Sequence, residues 1–128
     1  MPVISFGEQP NQIWGGAGWA FRQALKDLKP FAQGNDSFLA ALEEAGHIGY
    51  LGVECLDSVL QHAVVAAIQE MCVGIISGAR PSTINESLPG DRVAQDRYHE
   101  AIKVLLEMAR AAEHAITPEG DRGSPRTE

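Results

Sequence analysis

The chain has 128 residues, of which 45% are hydrophobic and 21% charged, and a formal charge of −7. That length fits one domain with a self-sufficient core, and the apolar content excludes a disordered acidic tail. A pI near 5.0 argues against direct nucleic-acid binding, because phosphate contacts rest on Lys and Arg.

The first positive side chain is Arg22, so no basic lead to a secretory signal is expected. Val3, Ile4 and Phe6 suggest a short extended arm, and Trp14-Gly15-Gly16 reads as a flexible lead-in. A first helix is expected from about Ala17 to Lys29, with Phe21, Ala24, Leu25 and Leu28 facing the core. Arg22, Lys26 and Lys29 take its other face, and Pro30 stops it. Gly34-Asn35-Asp36-Ser37 supplies a turn and an N-cap for a second helix carrying Phe38, Leu39 and Leu42 to about Ala45.

Gly46, Gly49 and Gly52 then recur every three residues, which implies a bend or a close backbone approach. The first helix is the default neighbour for that approach, and a homodimer seam is the other. A long central helix is expected from about Gly49 or Leu51 to Ile76. One stripe on it is Leu60, Val64, Ile68, Met71 and Ile75. A second is Leu51, Cys55, Val59, Ala66, Val73 and Ile76, so the helix reads as packed on several sides. Its most apolar part, residues 63–76, is shorter than the roughly 20 residues of a spanning helix, so no membrane is expected. On one continuous helix Cys55 and Cys72 lie roughly 25 Å apart. Both therefore read as free thiols in a reducing cytoplasm.

Residues 79–92 form the longest loop, with Thr83 and Glu86 at capping-box spacing. Asp91 caps a last helix from about Arg92 to Ile116, whose core face is Ala94, Tyr98, Ala101, Ile102, Leu105, Met108, Ala109 and Ala112. The expected architecture is all-α: a bundle of four or five helices over residues 1–116, with a loose tail at 117–128.

Charge gives the clearest functional clue. Residues 30–79 contain no Lys or Arg but hold Asp36, Glu43, Glu44, Glu54, Asp57 and Glu70. Such a segment cannot neutralise its acids locally, and an acidic helix face would steer onto a basic protein surface. The expectation is a small cytoplasmic protein that binds another protein as a regulator, inhibitor or assembly factor. Its candidate contacts are Trp14, Glu43, Glu44, Tyr50, Glu54 and Asp57. Trp14 either anchors that partner or folds back over the bundle.

Two enzymatic readings stand beside this one. Glu44 and His47 have the Glu-x-x-His spacing of carboxylate-bridged metal bundles, with Asp96, His99 and Glu70 as further ligands. Arg92 and His99, two turns apart, resemble the Arg-x4–6-His element of HEPN-type ribonuclease domains over eight residues, with Val93 where that family commonly has a polar residue. That resemblance implies RNA cleavage at a dimer interface. Residues 15–18 lack the Gly-Lys-Ser/Thr ending of a phosphate loop. No catalytic set, cofactor or metal is assigned from the sequence.

Overall fold

In the computed structural model, residues 2–15, 18–78 and 90–116 are described. The chain begins with a hairpin. Strand β1 (Val3–Ser5) pairs antiparallel with β2 (Ile13–Gly15), and Gln9–Gln12 turns between them. Helix α1 (Gly18–Leu28) follows and tightens into a 3-10 turn at Lys29–Ala32 around Pro30. Helix α2 (Asp36–Ile48) leads to β3 (Tyr50–Gly52), which adds parallel to β1. A 3-10 turn, Val53–Cys55, then leads to helix α3 (Ser58–Ser77), and α4 (Arg92–Ile116) is the last described element. The molecule is mostly helical, with a three-stranded sheet in the order β2-β1-β3.

The all-α expectation holds in its coarse form, and the three-stranded sheet is the part it did not include. Three-residue strands show too few alternations for a period-two signal, so their pairing decides them. The segment around Trp14 is strand β2 and no flexible lead-in. The central helix also starts later than expected. Gly49 takes φ 75° and ends α2, its N–H donating to the Ala45 carbonyl at 2.8 Å. Only glycine adopts that left-handed conformation at little cost. Asp57 then restarts the helix, its Oδ1 accepting from the Leu60 N–H at 2.9 Å. The glycine run is thus a bend, and Gly46 faces Leu25 of α1, where an added Cβ would sit 3.9 Å from Leu25 Cδ1.

One core joins sheet and helices. Ile4, Trp14, Phe21, Leu28, Phe38, Leu51, Val64, Ile68, Tyr98 and Ile102 are all within it. The most extensive helix contact is between α3 and α4. The core face expected of α4 is largely confirmed, with Tyr98, Ile102, Leu105, Ala109 and Ala112 buried. The second stripe of α3 behaves differently: Val59, Ala66 and Val73 are exposed, and Leu51 belongs to β3. The loop expected at 79–89, with Thr83 and Glu86, and the tail at 117–128 lie outside the described residues.

Candidate partner-binding groove

Helices α1 and α2 diverge enough to leave a groove of about 700 Å³ between them. On α1 its lining runs Trp19, Arg22 and Lys26, with Lys29 just beyond in the 3-10 turn, all spaced three or four apart. On α2 it runs Leu39, Leu42, Glu43, Gly46 and His47, again at helical spacing. Leu25 and Leu42 close the floor from the core side, and Trp19 and Leu39 are half-buried along it. Gly46 matters because a larger residue there would stand in the opening.

The charges divide by wall. Arg22, Lys26 and Lys29 are the only Lys or Arg in the first 79 residues, and all three line the α1 side. Glu43 lines the α2 side together with His47, and Glu44, next in sequence, is exposed outside the lining. The groove is apolar at the bottom, with Arg22, Lys26 and Lys29 along one rim and Glu43 on the other.

The α1 wall is fixed from behind. Asp27, on the opposite side of α1, is buried and accepts a hydrogen bond from the Tyr98 hydroxyl of α4 at 2.7 Å. The Tyr98 ring also meets Trp19, centroid to centroid at 6.3 Å and tilted by 46°. The α2 wall is set by the Asn35 cap, whose Oδ1 accepts from the Phe38 N–H at 3.1 Å, and by the Gly49 stop.

The sequence-predicted contacts are distributed unevenly around this feature. Glu43 lines the groove and Glu44 is exposed next to it. Trp14 is only 4% exposed, and its indole Nε1–H donates to the Ala101 carbonyl at 2.9 Å. Its register opposite Ile4 in the sheet turns it inward, so it is a core residue and not a surface anchor. Glu54 is half-buried, with Oε2 accepting from the Ser5 hydroxyl at 2.7 Å. Tyr50 stands near them at 39% exposed. Desolvation raises its phenol above the ordinary 10.0, Ser5 opposes that by hydrogen bonding, and Glu54 adds to it. Asp57 is exposed at the start of α3, where its carboxylate caps the helix.

The enzymatic alternatives fare as follows. Among the described residues no three His, Cys, Asp or Glu side chains gather into a metal-holding group. Glu44, His47, Glu70, Asp96 and His99 therefore do not assemble the carboxylate–histidine site. Arg92 opens α4 as an exposed residue, and His99 is half-buried on the same helix. No family model, curated protein or solved structure matches the chain.

The basic stripe was visible in the sequence as Arg22, Lys26 and Lys29 on one helix face. What the sequence did not show is that this stripe faces an apolar gap beside Glu43, because that depends on how far α1 and α2 diverge.

Proposed function

We propose that this is a small protein-binding module that seats an amphipathic helical segment of another protein between α1 and α2. The observation that carries the proposal is the coincidence of an apolar floor with oppositely charged rims. Helix-in-groove recognition uses anchors at i, i+3, i+4 and i+7. From Arg22 to Lys29 the basic rim extends about 10 Å, two turns of helix. A partner helix would place aliphatic or aromatic anchors over Leu25, Leu39, Leu42 and Gly46. Acids on one flank would meet Arg22, Lys26 and Lys29, and a base on the other would meet Glu43. Of the acidic face expected from sequence, Glu43 is the residue that lines this site.

Regulatory, inhibitory or assembly roles all fit such a module. A reducing, cytoplasmic setting is proposed with it, on the strength of the free thiols Cys55 and Cys72.

The test is selection from a displayed library of amphipathic helices. Selected sequences should carry acids along one flank of the apolar stripe. Gly46→Phe should fill the groove and weaken binding at least tenfold, and Lys26→Glu with Lys29→Glu should do the same. Glu100→Lys, on the exposed face of α4, is the control and should change little. Equal binding by Gly46→Phe and the parent chain would overturn the proposal.

A further inference from the structure

The outer face of α3 is a second open surface, separate from the groove. This helix packs one side inward, through Val64, Val65, Ala67, Ile68, Met71 and Cys72. Its opposite side is open to solvent. Val59 is 81% exposed and Val73 46%, and His62, Ala66 and Glu70 are exposed between them. By length and composition α3 is apolar enough to cross a membrane, yet only 33% of its most apolar window is buried. Val59, Ala66 and Val73 thus stand open along one face, interleaved with His62 and Glu70.

The exposed stripe is self-complementary about Ala66. Positions equally far on either side of it carry matching side chains: His62 with Glu70, and Val59 with Val73. In an antiparallel pair of α3 helices related by a two-fold axis at Ala66, each residue meets the one at equal and opposite distance. His62 then lies beside the partner's Glu70 twice over, and an imidazole N–H donates to a carboxylate. Val59 packs on the partner's Val73, and the two Ala66 methyl groups meet at the axis and allow close approach. A parallel pair would instead set Glu70 against Glu70, which like-charge repulsion opposes.

We infer that the outer face of α3 is an isologous interface between two copies of this chain, packed antiparallel about Ala66. A single-helix seam is small, so the dimer belongs to the weak, concentration-dependent class. This surface lies on a different helix from the groove of α1 and α2, and its failure would leave the groove untouched.

Sedimentation equilibrium of the full chain over roughly 5–500 µM tests the pairing, a span that covers weak association. The mass should climb from 13.8 kDa toward twice that value. Ala66→Glu should weaken association at least tenfold, as should His62→Glu. Because these positions are exposed, circular dichroism should stay at the parental signal. The double swap His62→Glu with Glu70→His should bring association back to within about threefold of the parent. Only the antiparallel seam pairs 62 with 70, so a double swap as weak as the single variant would overturn the proposal. A parent chain that stays monomeric throughout the range would overturn it as well. So would a monomer that floats with phosphatidylcholine vesicles, since α3 would then be facing lipid.

Discussion

At the residue scale, two buried groups show how the fold sets chemical behaviour. Cys72 is fully buried, and desolvation followed by the nearby Asp27 charge pushes its thiol from the ordinary 9.0 up to about 12. The folded chain therefore holds this proton more tightly than the unfolded one. Its contribution to stability is complete below about pH 9 and is lost as pH rises toward 12. Cys55 is exposed. A thiol titration with an aromatic disulfide at pH 8 should thus show Cys55 reacting at once and Cys72 only after denaturant is added. Fast reaction of both would contradict the burial of Cys72.

Asp27 is the other such group. A buried carboxylate is costly unless hydrogen-bonded, and Tyr98 supplies a donor at 2.7 Å. Tyr98→Phe removes the hydroxyl and keeps the ring against Trp19. Urea unfolding should show a loss of about 1–3 kcal/mol. Because the same bond ties α1 to α4, peptide binding in the groove should weaken too, by a smaller factor than Gly46→Phe produces.

At the scale of elements, the sequence displayed its helices and concealed its sheet. The faces of α1, α2 and α4 were legible because apolar residues recur at helical spacing, as from Tyr98 through Ile102 and Leu105 to Ala109. The Asn35 and Asp91 caps were legible because short polar side chains compete for the first free N–H groups, whereas Asp57 read as helix interior. The first strand was legible only as a short extended arm at Val3, Ile4 and Phe6, and the pairing of the strands was not legible at all. Val3–Ser5 and Tyr50–Gly52 pair across a separation of more than forty residues, and three residues carry no period. The length of the central helix was misread for a related reason. Leu51 and Cys55 fit a helical stripe with Val59, but the left-handed Gly49 and the Asp57 cap place them in a strand and a turn. Gly49→Ala tests that account: its φ of 75° strains any residue with a Cβ, by about 1–2 kcal/mol. Contacts do not supply the cost, since an added Cβ would meet Pro2 only at an ordinary 3.8 Å. Thermal unfolding should show Gly49→Ala destabilised while Gly46→Ala, in the last turn of α2 and uncrowded, is neutral or stabilised. The reverse order would contradict the proposed stop.

At the scale of the whole molecule, the charge of −7 resolves into an arrangement. Acids dominate residues 30–79, but Glu54 is turned toward Ser5 and Asp57 toward its own helix; Asp36, Glu44 and Glu70 are exposed outside the groove, and Glu43 is the one of the six that lines it. The few bases of the first half lie together on the facing wall. The account therefore assigns the two open surfaces different tasks: a charged-rimmed groove for a foreign helix, and the outer face of α3 for a second copy. Methyl and indole NMR of the full chain, titrated with the best selected helical peptide, separates them most directly. The account predicts shifts confined to Leu25, Leu39, Leu42 and the Trp19 indole. Shifts at Val59 and Val73, or around Tyr50 and Glu54, with the groove signals unmoved, would contradict it.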